Sequence, residues 1–217
     1  MAKGEAEKMS HLVNCQFNGQ VFQLEVEEKG PEWYDTIAEQ EKMYSASPLK
    51  SSYYPVYEKI VELLKEMKPE GVVDLGCGSG QLARLVFGAG LDFRYGLDFS
   101  PKMIDLARKL NPEIAQRFQC QDFFIKELLL NADICIVMTE VLEHLEDDLK
   151  LLEKIPSSCP IIFSVPSYIT QSHVRAFRSD HEVMERYRGL IRFNKIIPIV
   201  MNIEQDFKIF VCEGVKR

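Results

Sequence analysis

The chain has no apolar run approaching the ~18 residues that a helical membrane span needs. Its six cysteines, Cys15, Cys77, Cys120, Cys135, Cys159 and Cys212, include no C-x-x-C pair. That excludes the usual zinc and dithiol redox spacings. No internal repeat is present, and no linker is long enough to separate two domains. The opening residues, Met1-Ala2-Lys3-Gly4-Glu5, lack the apolar core of a signal peptide. With thiols scattered through apolar runs, this leads to the expectation of a reduced, cytoplasmic protein. Basic residues are in the minority, 26 Lys and Arg against 33 Asp and Glu, for a net charge of -7. Phosphate backbones reward basic surfaces, so this balance speaks against nucleic-acid binding.

What remains is ordinary globular composition: 217 residues, 46% hydrophobic and 27% charged. That allows one domain of usual size, or one domain with an appendage. Residues 12–17 and 21–26 read as strands joined by Asn18-Gly19, the pair a two-residue type I′ turn favours. An irregular aromatic stretch follows, with Trp33, Tyr34, Tyr44, Tyr53, Tyr54 and Tyr57. We expect residues 1–54 to form a hairpin and lid segment, and 55–217 the main domain. The hairpin's edge strand leaves monomer and homodimer both open.

From Pro55 the apolar spacing changes. Val56, Ile60, Leu63 and Leu64 predict a helix over 55–67. Strands are expected at 71–75, 93–97, 117–120, 133–138 and 160–165. Helices are expected at 82–88, at 101–110 with Ser100 as N-cap and Pro101 first, and at 145–155. Alternation of helices with continuously apolar strands implies an α/β fold, a parallel sheet covered on both faces. Residues 196–203 and 207–213 read as a closing antiparallel hairpin at one sheet edge.

The strongest chemical signal is Asp74-Leu75-Gly76-Cys77-Gly78-Ser79-Gly80 between a strand and a helix. Glycines let the backbone approach a ligand, and the helix start presents free N–H groups. A second acid, Asp98, stands at the next strand end, where a carboxylate can take both hydroxyls of a ribose. The order D-x-G-x-G-x-G differs from the dinucleotide fingerprint G-x-G-x-x-G.

This segment resembles motif I of the class I S-adenosylmethionine (SAM)-dependent methyltransferases, and the likeness runs through residues 71–165. Gly96-Leu97-Asp98-Phe99-Ser100 with Met103 resembles the ribose-binding strand end of that superfamily. Gln121-Asp122-Phe123 resembles its adenine-contacting pair, and the stretch from Val137 to Leu145 the motif after strand four. The resemblance implies a Rossmann-like fold with strand order 3-2-1-4-5-7-6 and strand seven antiparallel. It also implies SAM as cofactor, with SAM and substrate at the carboxyl ends of strands one, two and four. Gly76, Cys77, Gly78 and Gly80 would line the methionine part and Asp74 would orient its amino group. Asp98 would hold the ribose and Asp122 the adenine amine. Phe99 or Phe123 would cover the ring, and the Thr139 backbone would close the methionine side.

The implied reaction is transfer of a methyl group to an oxygen or nitrogen of a small molecule. Candidate bases are His144, Glu143, His173 and His181, with none preferred by sequence. The leading reading assigns no metal ligand. One alternative is a non-catalytic binding module of the same fold. Another is suggested by Glu140-x-x-Glu143-His144, which resembles the metal-binding pattern of small-RNA 3′-end 2′-O-methyltransferases, with His181 as a further ligand. The stretch His173-Val174-Arg175-Ala176-Phe177 resembles the pocket wall of small-molecule members. Six basic residues between Arg175 and Lys195 read either as an acid-attracting patch or as a solvated helix face.

Overall fold

A computed structural model describes residues 10–17, 20–125, 128, 130 and 132–217. The Asn18-Gly19 turn lies outside the described residues. The strands around it, β1 (His11–Phe17) and β2 (Gln20–Val26), pair antiparallel with Phe17 opposite Gln20. They form a sheet of their own.

The main sheet contains β3 (Gly71–Leu75), β4 (Phe93–Asp98), β5 (Phe118–Cys120), β6 (Ile134–Thr139), β7 (Pro160–Pro166), β8 (Ile191–Asn202) and β9 (Phe207–Lys216). Its order is β5-β4-β3-β6-β7-β9-β8. All neighbours from β5 to β7 are parallel, and β9 runs antiparallel to both β7 and β8. This is the order the resemblance implies.

Both faces are covered because side chains alternate across the sheet. Val72, Cys135, Val137 and Ile162 pack on one side with α3 (Tyr54–Met67), α4 (Gln81–Gly88) and α5 (Pro101–Leu110). Val73, Ile136, Met138 and Phe163 face the other side, with Leu151 and Leu152 of α6 (Asp148–Glu153) and Val183 and Tyr187 of α7 (Asp180–Tyr187). Pro198 lies in β8, an edge strand, where a missing N–H is tolerated.

Three expectations about elements need correction. The aromatic stretch is largely helical, with α1 (Pro31–Gln40) and α2 (Lys42–Ser45). Neither helix buries any residue fully, so the apolar periodicity that would reveal them is weak. The helix expected over 145–155 starts only at Asp148, after a 3₁₀ turn at Leu142–His144. Arg175 donates to the Leu142 and Leu145 carbonyls, taking acceptors that a continuous helix would use. Strand β8 begins at Ile191, ahead of the expected 196, because the polar residues Arg192, Asn194 and Lys195 mask its start.

Candidate active site

The carboxyl ends of β3, β4 and β6 open on a cavity of about 720 Å³, walled on the far side by residues of α1, α2 and the start of α3. That volume lies within the ~300–1,000 Å³ typical of small-molecule sites.

The glycine loop forms the floor. Gly76 has φ +79°, and a Cβ there would sit 2.4 Å from Val141 Cγ2, so a side chain fits neither the backbone nor the space. Gly76 and Cys77 both donate N–H to the Leu97 carbonyl, at 2.7 and 2.9 Å, which ties the loop to β4. Gly80 does not line the cavity. Its Cα packs against Asn111 and Phe118, so it serves close packing of the loop on the sheet. Burial pushes the Cys77 thiol well above its ordinary value, which makes it a packing residue.

Two buried carboxylates lie beside the loop. Asp98 accepts from Gly78 N–H at 3.0 Å and Ser100 N–H at 2.9 Å. Burial lifts its pKa to about 6 despite these bonds. Asp74 is 2% exposed, and burial, helped by the charge of Asp98, lifts it to about 7. Its Oδ1 and the Thr139 hydroxyl have no hydrogen-bond partner among the described residues. Ser100 is fully buried behind the wall as the N-cap of α5, accepting from Met103 N–H at 3.1 Å. Met103, Asp122, Phe99 and Phe123 line one end of the cavity. Asp122 accepts from Phe124 N–H at 2.7 Å, and the Tyr34 ring lies 5.3 Å from Phe99.

The N-terminal arm is clasped at three points. Ser100 Oγ donates to Asp35 Oδ1 at 2.6 Å. The Gln81 side chain donates to the carbonyls of Met43 at 2.8 Å and Ala46 at 3.2 Å. Glu28 accepts from the N–H of Glu146 at 2.7 Å. Trp33, Tyr34, Tyr44 and Tyr53 thereby line the cavity, whereas Tyr54 points to Glu58 instead. Asp35 and Gln81 are the residues that sequence reading missed. Both act through contacts far apart in the chain, and no local pattern marks them.

At the other end Glu140, His144 and His173 line the cavity, and Glu143 lies buried behind them. Glu140 has φ +54° and bonds Ser164 through its own N–H and through Oε1. Glu143 is fully buried, and neither of its oxygens has a hydrogen-bond partner among the described residues. Burial raises both carboxyls; the charge of Glu140 raises Glu143 further, whereas the Ser164 hydrogen bond draws Glu140 back down. Burial lowers His144 to about 3 and His173 to about 4, so both rings are neutral near pH 7. The two rings lie 4.8 Å apart, edge to face. His181, by contrast, is exposed on α7 and does not line the cavity.

None of the six basic residues lines the cavity. Arg175 and Arg186 pair with the buried Asp148, Arg188 with Glu185, and Lys195 with Glu66.

Residues 73–159 match the family model of a methyltransferase domain. Over 119 residues the chain is 29% identical to the ubiquinone biosynthesis O-methyltransferase of Bordetella avium (strain 197N), covering 53% of this chain and 46% of that protein. It thus spans about half the length of the curated relatives it matches. Among solved structures, magnesium protoporphyrin IX methyltransferase from Synechocystis PCC 6803 with bound SAM superposes with a TM-score of 0.58. That match has 18% identity and covers 76% of this chain and 80% of the other. The [4+2]-cyclase SpnF superposes at 0.65 with 11% identity, covering 86% and 95%. The fold alone therefore carries more than one chemistry.

Proposed function

We propose that the chain is a class I SAM-dependent methyltransferase that transfers a methyl group from SAM to a small-molecule acceptor. One observation carries the reading. The positive-φ glycine loop, braced by Asp98 at the end of β4, opens on the cavity beside Asp74, whose buried Oδ1 has no hydrogen-bond partner among the described residues. Such an oxygen fits an ammonium donor, and a carboxylate at Asp98 fits paired hydroxyls.

Bound SAM supplies a methyl group already activated on a sulfonium, which leaves the protein to bind, align and exclude water. Gly76, Cys77 and Gly78 line the methionine side, with Asp74 facing the amino group and the Thr139 backbone closing it. Asp98 holds the ribose, and Phe99, Asp122, Phe123 and Met103 surround the adenine. Gly80 and Ser100 support these from behind. Tyr34, Tyr44 and Tyr53 roof the cavity, where aromatic faces favour a cation. His144 and His173 form the acceptor end, with Glu143 buried behind them.

Two features support a small, uncharged or cationic acceptor over RNA. The cavity is walled by acids and aromatics. Among the described residues its only lining Lys or Arg is Lys29, paired with Glu27 at 2.5 Å. The O-methyltransferase name of the Bordetella avium relative favours oxygen as the acceptor atom.

The test is calorimetric titration with S-adenosylhomocysteine, then screening of metabolite pools for its release from SAM. Micromolar 1:1 binding is expected. Absence of binding by the folded chain overturns the reading.

A further inference from the structure

We infer that the acceptor end of the cavity is a cage for an ammonium group, so that the methyl acceptor is a small molecule carrying a primary or secondary amine. The inference rests on the reading above and names its substrate class.

Rings provide the first argument. Tyr34, His144, His173, Tyr168 and Tyr53 all line the cavity and follow one another along its wall. The ring centres of Tyr34 and His144 lie 6.0 Å apart, those of His144 and His173 4.8 Å, and those of His173 and Tyr168 5.7 Å. The hydroxyls of Tyr168 and Tyr53 meet at 3.3 Å. Aromatic faces attract a cation, and a wall built of several is a usual seat for an ammonium group. Both imidazoles are neutral near pH 7, so they add no opposing charge.

Hydrogen bonds provide the second. His144 Nδ1 lies 2.8 Å from the Ser172 carbonyl, and His173 Nδ1 lies 3.1 Å from the Tyr168 carbonyl. A carbonyl can only accept, so each Nδ1 carries the proton and each Nε2 a lone pair. Neither Nε2 has a hydrogen-bond partner among the described residues. His173 is only 5% exposed, and the buried Glu140 Oε2 is unbonded as well. This end of the cavity therefore offers acceptors and needs hydrogens from its ligand. A primary or secondary ammonium brings two or three, whereas a quaternary ammonium or a carboxylate brings none.

Charge provides the third. Glu28, Asp74, Asp98, Asp122 and Glu140 line the cavity, and the only Lys or Arg among the described lining residues, Lys29, is held by Glu27 at 2.5 Å. The cofactor takes Asp74, Asp98 and Asp122 in the reading above, and Glu28 accepts from the Glu146 N–H. Glu140 is left over, with the fully buried Glu143 behind it and both Glu143 oxygens unbonded. Two carboxyls so placed are costly unless a proton or a cation compensates. Arg175, whose charge reaches Glu143, is already engaged by the carbonyls of Leu142 and Leu145 and by Asp148. An ammonium group in the cage supplies both the missing charge and the missing hydrogens.

The experiment titrates the full chain, with and without S-adenosylhomocysteine, near pH 7. The probes are n-butyl and 2-phenylethyl skeletons, each as the primary amine, its trimethylammonium counterpart, the alcohol and the carboxylate. The primary amine should bind at least about tenfold tighter than the alcohol, with the trimethylammonium between them and the carboxylate weakest. Glu140→Gln should erase the preference for the amine over the alcohol, and Tyr168→Leu should weaken the amine roughly threefold or more. S-adenosylhomocysteine affinity in both variants should stay within about twofold, which also reports that they are folded. Binding of S-adenosylhomocysteine by a chain that takes no amine overturns the cage. So does an alcohol or carboxylate bound as tightly as the amine, or amine binding indifferent to either substitution. If Glu140→Gln weakens SAM relative to S-adenosylhomocysteine and leaves the amine preference intact, the carboxylate serves the sulfonium and the proposal falls. Amine-selective binding by a chain that binds no S-adenosylhomocysteine keeps the cage and removes the methyl-transfer reading instead.

Discussion

Ser100 Oγ donates to Asp35 Oδ1 at 2.6 Å while accepting from Met103 N–H. One hydroxyl therefore caps α5, which follows the Asp98 strand end, and anchors α1, which roofs the cavity. Asp35→Ala should loosen the roof and leave the floor intact. About fivefold weaker S-adenosylhomocysteine binding is expected, the equivalent of one half-buried hydrogen bond of roughly 1 kcal/mol. Calorimetry with limited proteolysis of residues 31–50 checks both parts.

Asp98 sets a pH dependence. Its pKa of about 6 means that the carboxylate is protonated in mild acid and can no longer accept from two hydroxyls. Cofactor affinity should fall as the pH drops below about 6. Asp98→Asn should bind roughly 10–100-fold more weakly at neutral pH, with a flatter profile. An unchanged affinity removes Asp98 from the site.

The same shift acts on folding. The folded chain holds the Asp98 proton up to about 6, whereas the unfolded chain releases it near 3.8. This group's contribution to stability is full below 3.8 and is lost as the pH rises through about 6. The histidines respond with the opposite sign, so the quantity to measure is the difference in Tm between wild type and Asp98→Asn. Asp98→Asn should gain relative to wild type across that window.

Gly76→Ala combines a left-handed backbone with overlap on Val141. A loss of about 2–4 kcal/mol is expected, from backbone and overpacking together. Val141→Ala relieves only the overlap, so the double variant should be less destabilised than the sum of the singles. Denaturant titration of all three closes the cycle.

Asp148 is fully buried and accepts from Arg186 Nε at 2.7 Å and Tyr187 Oη at 2.8 Å, with Arg175 Nη1 at 3.4 Å. Asp148→Ala leaves Arg186 and the buried Tyr187 hydroxyl without their acceptor, while Arg175 keeps its backbone carbonyls, and should cost about 1–3 kcal/mol. Because Arg175 also holds the Leu142–Leu145 turn, the variant should disturb the acceptor end before the glycine loop.

The sheet and the glycine-loop end of the cavity were legible because their signals are local. Five consecutive buried residues make β3, and the glycines that need positive φ follow it directly. Asp98 is marked as the acid ending the next strand, and the structure sets it against Gly78 of that loop. The acceptor end was half legible. Glu143 and His144 are adjacent in sequence, and His173, also a candidate there, is brought beside them by the chain after β7, whereas His181, equally a candidate, stays out on α7. The arm was least legible. Its helices bury nothing fully, and its clasps join residues 65 and 38 positions apart.

Gln81 opens α4 directly after the glycine loop, and its one amide holds the carbonyls of Met43 and Ala46 while its oxygen receives the Tyr57 hydroxyl at 3.3 Å. Floor and roof thus share a latch. In kinetic terms, a molecule that leaves by way of the roof leaves only after the arm lets go. Residence time then reports the strength of a side-chain amide that the bound molecule need not touch.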